Sequence, residues 1–413
     1  MPDGNPILAR LKDDLATLEA GSQLRELAHP AGIDLCSNDY LGLSRDLRLR
    51  QAVIRALNEG AAIASTGSRL LSGNAPTWEE LETEFARFVG AESALFFTSG
   101  YAANVGLLSA LLGPGDCVFS DSANHASLID GIRLSRARKV IFPHLDLNFL
   151  EARLRSEDAE PGRKFIVVES VFSMEGDRAP LEELAALAAR FGAELIVDEA
   201  HAVGVFGREG RGLLDEVGLA GCVLASVHTC GKALASMGAF VACPETLKRF
   251  LINRARTFIF STALPPYMAF QIRAAIGLVR EADDRRCRVL EFAVTLRRRL
   301  QAAGLETGRS DSPIVPVLLG SNEGALAAAR ALRGAGFAVR AIRPPSVPLG
   351  TARLRLSLTA TLTQQDCDRL ARVLPECCRA DVLDGVTTDR GSAGLSAGMP
   401  GARLKPGATA PGR

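Results

Sequence analysis

Strand-like and helix-like patterns alternate between about residue 45 and residue 260, and nothing else in this 413-residue chain narrows its fold as far. Short apolar runs of strand length stand at 94–98, 117–120, 139–142, 165–169, 195–198, 223–227 and 239–242. Helix-like stretches lie between them at 77–89, 101–112, 126–135, 181–191 and 245–254. Near-continuous apolar strands joined through helices predict an α/β protein with a mostly parallel sheet covered on both faces.

Beyond Pro265-Pro266 the pattern changes. A long helical stretch runs to about residue 303, followed by a strand (314–319), a helix (323–333), strands at 338–342 and 353–358, and a final helix near 364–373. This reads as a smaller C-terminal α+β domain, and the length of the chain also exceeds what one core usually serves. Residues 7–30 read as a helix and a loop, with Leu8, Leu11, Leu15 and Leu18 at helical spacing. The expected division is an arm at 1–44, a large domain at 45–275, a small domain at 276–380 and a tail at 381–413. The tail is rich in Gly, Ala, Pro and Thr and is expected to be disordered.

Composition removes several function classes. The formal net charge is +1 and aromatics are 5%, so no basic surface with stacking residues argues for nucleic acid. No apolar run reaches the roughly 20 residues that span a bilayer, and Met1 to Asn5 lack the layout of a secretory signal. Nine cysteines, an odd number with many inside apolar runs, argue for a reducing cytoplasm. Cys377-Cys378 has no second Cys or His cluster nearby, so no metal is expected.

Chemistry-bearing residues gather after two of the predicted strands. Asp198-Glu199-Ala200-His201 follows the run 194–197, and His228-Thr229-Cys230-Gly231-Lys232 follows 222–227. Open α/β sheets collect ligands at the carboxyl ends of their strands. A lysine for a Schiff base and an acid for a pyridinium nitrogen are what pyridoxal phosphate requires. Taken singly, Lys232 could be a solvated lysine, Asp198 a helix cap or Mg²⁺ ligand, and His201 structural; together they favour the cofactor. Gly100 and Tyr101 sit where a strand turns into a helix, and their amides suit a phosphate, although small residues there also permit close packing. His125 either stacks on a flat ring or stands exposed behind an Asn124 cap. Ser261-Thr262 offers hydroxyls for phosphate. Arg343, in the rigid turn Arg343-Pro344-Pro345-Ser346, is either a partner for a substrate carboxylate or a surface arginine.

These strings resemble the α-oxoamine synthases, fold-type-I pyridoxal phosphate enzymes that condense an amino acid with an acyl thioester and release CO₂. The likeness runs from about Leu35 to Val373. Its markers are residues 37–43 (SNDYLGL), 67–73 (GSRLLSG), 171–177 (VFSMEGD), 198–201 (DEAH) and 229–232 (TCGK). It implies that Lys232 is the Schiff-base lysine, that Asp198 pairs with the ring nitrogen and that His125 stacks over the ring. His201 would contact the phenolic oxygen, with Ser173 close by. Gly100, Tyr101 and Thr229 would hold the phosphate, and Thr262 would reach it from a partner subunit of a homodimer. Asn38, Arg343 and Ser346 would meet the substrate, and Arg25 would correspond to an N-terminal substrate arginine.

Segments 65–73 and 341–356 are most similar to the members of that family that join L-alanine to a pimeloyl thioester, carried on coenzyme A or a carrier protein. The alternatives are glycine or serine with a different acyl-CoA, an aminotransferase or lyase on the same fold, and a cofactor-binding protein without catalysis. One departure stands out. The family follows its lysine with a glycine-rich run, whereas here Ala235 occupies a position where glycine is common.

Overall fold

The computed structural model describes residues 5–157 and 162–379, so the expected disordered tail lies outside the described residues. The strands, in chain order, are β1 (Ile33–Asp34), β2 (Ser93–Phe97), β3 (Cys117–Asp121), β4 (Arg138–Phe142), β5 (Lys164–Glu169), β6 (Ala193–Asp198), β7 (Ala225–Thr229), β8 (Ala239–Cys243), β9 (Ile314–Gly320), β10 (Phe337–Ala338), β11 (Ala341–Ile342) and β12 (Ala352–Ser357).

Seven of them form the central sheet in the order β2-β8-β7-β6-β5-β3-β4. β8 is antiparallel to β2 and to β7, and the remaining pairings are parallel. Successive side chains along a strand point to opposite faces, and both faces are dry except at the edge strand β4, where Lys139 and Ile141 are exposed. Phe119, Ile166, Val168 and Phe240 enter one apolar cluster, while Val118, Phe165, Val167 and Val241 enter the other. The register sets Glu169 opposite Asp198, and Asp198 opposite Val227. The carboxyl ends of β5, β6 and β7 therefore lie side by side, which brings the two motifs of the sequence into one place.

Two helices close the same end of the sheet. Gly100–Leu111 follows β2 and is capped by Ser99, whose hydroxyl accepts from the Ala102 amide at 3.0 Å. Ala126–Ser135 follows β3. They pack closely enough that a Cβ on Gly131 would stand 2.9 Å from Leu108 Cβ and 3.0 Å from the Asn104 carbonyl. Glycine at 131 is thus what lets the two helices meet, and with them Asn104 and Ser127.

A second core surrounds a three-stranded antiparallel sheet of order β11-β12-β9. It is filled by Val315, Val317, Leu354 and Leu356 and by the helices Asp283–Ala302, Asn322–Gly334 and Gln364–Cys377. The N-terminal segment joins the two cores, since Leu35 belongs to the smaller and Tyr40, Leu41 and Leu43 to the larger. β1 pairs in parallel with β10.

Two expectations need correction. The helical stretch after Pro266 is two helices, Tyr267–Arg280 and Asp283–Ala302, interrupted at Glu281 and Ala282. The first packs Ile272, Ile276 and Val279 on the large core, and the second packs Val289, Leu296 and Leu300 on the small one. Serving two cores requires the break. The strand expected at 338–342 is likewise divided between β10 and β11, which pair with different partners. The first helix, Pro6–Ala20, starts at an Asn5 cap, but its leucines are not core residues. Leu8, Leu11, Leu15 and Leu18 remain 39–52% exposed. No helix among the described residues is long and apolar enough to cross a membrane.

Candidate active site

Asp198 ends β6 and is buried. Its Oδ1 accepts from the Ala200 amide at 2.9 Å and its Oδ2 from Asn104 Nδ2 at 2.7 Å. The Asn104 amide also donates to Ser127 Oγ at 2.9 Å, and Ser127 Oγ lies 2.8 Å from His125 Nδ1. A continuous polar chain thus runs from the acid to the imidazole at the start of the next helix, and it fixes both groups.

Lys232 follows β7 on a tight loop. Cys230 exchanges backbone hydrogen bonds with Gly238 and Ser236, and the Ala235 amide donates to the Lys232 carbonyl at 2.8 Å. Lys232 Nζ is 2.8 Å from His201 Nε2, and His201 Nδ1 is 2.7 Å from the Tyr40 hydroxyl. Burial pushes the Lys232 ammonium down to about 8, against the pull of the Asp198 charge. Burial and the nearby Lys232 and Arg355 charges hold His201 well below the usual imidazole range. The site therefore joins a neutral imidazole to an amine that is easily deprotonated.

Glu169, beside Asp198 in the register, is fully enclosed. Burial and the Asp198 charge raise its carboxyl well above the usual range, so it is held as a neutral acid. Its Oε2 accepts from the Ser173 amide at 3.2 Å, and its Oε1 has no partner. Asn104 Oδ1 is also buried without a partner. Native structures rarely leave such atoms unpaired, and their presence at a site suggests a missing ligand or water.

Arg355 on β12 reaches the same centre from the smaller sheet. Its Nε donates to the Ser173 carbonyl, and its Nη1 donates to Asn38 Oδ1 at 3.1 Å and to Ser357 Oγ at 2.6 Å. Arg353, two residues earlier on the same face, donates to Met174 O at 3.4 Å and to Glu175 Oε1 at 3.1 Å. The Ser173 loop is held from the other side by His144. Its ring bridges Asp121 Oδ1 at 2.9 Å and Asp177 Oδ2 at 3.1 Å and stands edge-on to Phe172.

The residues expected at the phosphate are partly assembled. A Cβ on Gly100 would lie 3.5 Å from Thr229 Oγ1, and Thr229 Oγ1 accepts from the Gly231 amide at 3.3 Å. The opening of the helix Gly100–Leu111 and the end of β7 thus form one cradle, whose first amides have no intrahelical acceptor. The Tyr101 side chain points away to Asp130, and Thr262 is exposed. Arg25, Arg343 and Ser346 form a separate group. Arg343 donates to the Ser22 carbonyl and to the Leu24 carbonyl at 3.3 Å. Arg25 donates to the Pro344 carbonyl at 3.3 Å and to Ser346 Oγ at 3.5 Å.

Tyr40, Asn104, Glu169 and Arg355 are the site residues that the sequence reading did not single out. A signal for Arg355 existed in Ala352-Arg353-Leu354-Arg355-Leu356-Ser357, where leucines alternate with arginines inside a strand. Leucines on the core face leave a row of arginines on the other, and buried arginines require anions or carbonyls. The assembled donor set suits a phosphorylated aromatic aldehyde with a ring nitrogen. An amine can take the aldehyde, a fixed carboxylate can take the ring N–H, an imidazole can cover a face, and a helix start with a threonine can hold the phosphate.

Comparison with known proteins agrees with this geometry. Residues 30–374 match the family model described as aminotransferase class I and II. The 8-amino-7-oxononanoate synthase of Geobacter sulfurreducens is 48% identical over 81% of this chain and 86% of its own length. That of Aromatoleum aromaticum is 46% identical over 89% of this chain and 98% of its own. Among solved structures, a serine palmitoyltransferase from S. paucimobilis with a bound pyridoxal phosphate–myriocin aldimine superposes with a TM-score of 0.83. It is 31% identical and covers 93% of this chain and 100% of its own. The 8-amino-7-oxononanoate synthase of Francisella tularensis gives a TM-score of 0.72 at 31% identity, covering 86% of this chain and 98% of its own.

Proposed function

The chain belongs to the aminotransferase class I and II family, with 8-amino-7-oxononanoate synthases among its close relatives, and on that footing we propose that it joins L-alanine to a pimeloyl thioester. The acyl carbon bonds to Cα of alanine, the thiol and CO₂ leave, and the product is 8-amino-7-oxononanoate. The observation that carries the reading is the meeting of Lys232, His201, Asp198 and Arg355 at the carboxyl ends of β6 and β7. Pyridoxal phosphate, when bound, supplies the electron sink that makes Cα acidic.

The chain's own residues do the rest. Lys232 Nζ would hold the cofactor through its aldehyde and, as a free amine, would stand where it can remove the Cα proton. Its pKa of about 8 leaves a useful neutral fraction near physiological pH. Asp198, held by Asn104 and the Ala200 amide, would keep a proton on the ring nitrogen. His125 would cover the ring, and His201 and Ser173 would address its phenolic oxygen. Gly100, Tyr101 and Thr229 would hold the phosphate. Arg355 and Asn38 are the natural receptor for the amino-acid carboxylate, because a guanidinium fork matches it bidentately. Arg25 of the N-terminal arm, with Arg343 and Ser346 of the small domain packed against that arm, would meet the acyl donor.

We also infer a homodimer in which Thr262 completes the partner's phosphate site. Support comes from the exposure of Thr262 and from the uncovered leucines of the helix Pro6–Ala20. A cytoplasmic setting fits nine free cysteines, six of them buried. The division into arm, large domain and small domain follows the two cores. Mass analysis of products from alanine, glycine or serine with a panel of acyl thioesters tests the substrate assignment. Release of 8-amino-7-oxononanoate from alanine and pimeloyl thioester supports it, and turnover only with another pair rejects it.

A further inference from the structure

We propose that Tyr40 is a positioning residue that fixes His201 as the tautomer with hydrogen on Nε2, so that a donor faces Lys232 Nζ and the phenolic oxygen of bound pyridoxal. The proposal rests on the active-site reading above for its consequence, but not for the tautomer itself.

Tyr40 is 1% exposed, and its hydroxyl lies 2.7 Å from His201 Nδ1 and 3.2 Å from Asn38 Oδ1. A phenol has one hydrogen to give. Asn38 Oδ1 already accepts from Arg355 Nη1 and from Ser357 Oγ, each at 3.1 Å. An amide oxygen has two lone pairs, so both are taken. The Tyr40 hydrogen therefore goes to His201 Nδ1. A neutral imidazole that accepts at Nδ1 carries its hydrogen at Nε2.

The surroundings keep both partners neutral. Burial pushes the Tyr40 phenol up to about 12. The charged or titratable groups around His201 are Lys232 at 2.8 Å, Arg355 and His125, which together disfavour an imidazolium, and Lys232 accepts from Nε2–H once it is the neutral amine. Tyr40 itself is fixed at both ends of its residue. Its amide donates to the Asn38 carbonyl at 2.8 Å, and its carbonyl accepts from the Ala360 amide at 2.8 Å. Asn38, Tyr40 and Ala360 thus tie the orientation of one imidazole to the junction of the two cores.

Tyr40→Phe removes the oxygen and keeps the ring. The first measurement uses apoprotein with ¹⁵N-labelled histidine at about pH 9.5, where Lys232 is largely the neutral amine and can accept from Nε2, and two-bond ¹H–¹⁵N correlations report each tautomer. The chain has five histidines, and loss of one signal set in His201→Asn assigns His201. Wild type is expected to show hydrogen on Nε2, and Tyr40→Phe a mixture of tautomers. The second measurement titrates the visible absorbance of bound cofactor against pH. Loss of a fixed donor to the phenolic oxygen raises the midpoint by about one unit in Tyr40→Phe. Hydrogen on Nδ1 in wild type, or an unchanged tautomer and midpoint in Tyr40→Phe, overturns the proposal. A wild-type protein that takes up no cofactor would defeat the active-site reading instead, and the apoprotein spectrum would still decide the tautomer.

Discussion

Arg355 Nη1 donates to Asn38 Oδ1 at 3.1 Å, so a strand of the small sheet and the segment that enters the large core share one polar contact beside Lys232. Binding the amino-acid carboxylate there would bear on both cores at once. Arg355→Lys keeps the charge but loses the fork and the Ser173 contact. The KM for the amino acid is expected to rise about 30- to 100-fold, the scale of one charge-assisted pair. The Arg343 guanidinium donates to arm carbonyls, so Arg343→Lys should leave that KM within about threefold. Steady-state kinetics in the amino acid checks both, and the reverse ranking would move the carboxylate site to Arg343.

Glu169 is held neutral by burial and by Asp198. Glu169→Gln therefore replaces a neutral acid with a neutral amide of similar shape, and kcat should fall by less than about threefold with an unchanged pH profile. A large loss, or a shifted acid limb, would show that Glu169 works as a carboxylate.

His144 lies between Asp121 and Asp177. Burial alone would lower its pKa, but the two carboxylates win and lift it from 6.5 to about 10. A folded-state pKa above the unfolded one gives stability that is complete below pH 6.5 and is lost as pH rises toward and through 10. His144→Gln should cost about 2 kcal/mol at pH 6 and progressively less toward pH 10. Thermal midpoints of both proteins across that range test the sign, and a gap that widens with pH would contradict it.

Ala235 sits at φ 44°, a left-handed conformation, within the loop that carries Lys232. Left-handed backbone costs an L-residue about 1–2 kcal/mol, part of which glycine gives back in chain entropy. Ala235→Gly should stabilise the protein by about 0.5–1 kcal/mol, read as a higher thermal midpoint. A lower midpoint would show that the methyl group contributes more in packing than it costs in strain.

Much of this was legible in the sequence because the central strands are buried on both faces and read as unbroken apolar runs. The motifs at their carboxyl ends, with Asp198, His201 and Lys232, pointed to the site. The glycine position now held by Ala235 was also visible, and the structure gives it a physical cost. Other features were hidden by tertiary context. The leucines of Pro6–Ala20 have helical spacing, yet no part of the described chain buries them. The helix after Pro266 carries no strong breaker at Glu281-Ala282, because its interruption is set by which core each half faces. Arg355 stands in a strand, where an arginine looks ordinary until the fold places it against Asn38 and Ser173.

Borohydride reduction of the holoprotein, followed by peptide mass spectrometry, is the most direct test of the central claim. The account predicts a phosphopyridoxyl adduct on the peptide containing Lys232, and its absence from Lys232→Ala, which should also lose turnover. An adduct on another lysine, or none after incubation with excess pyridoxal phosphate, would contradict the account.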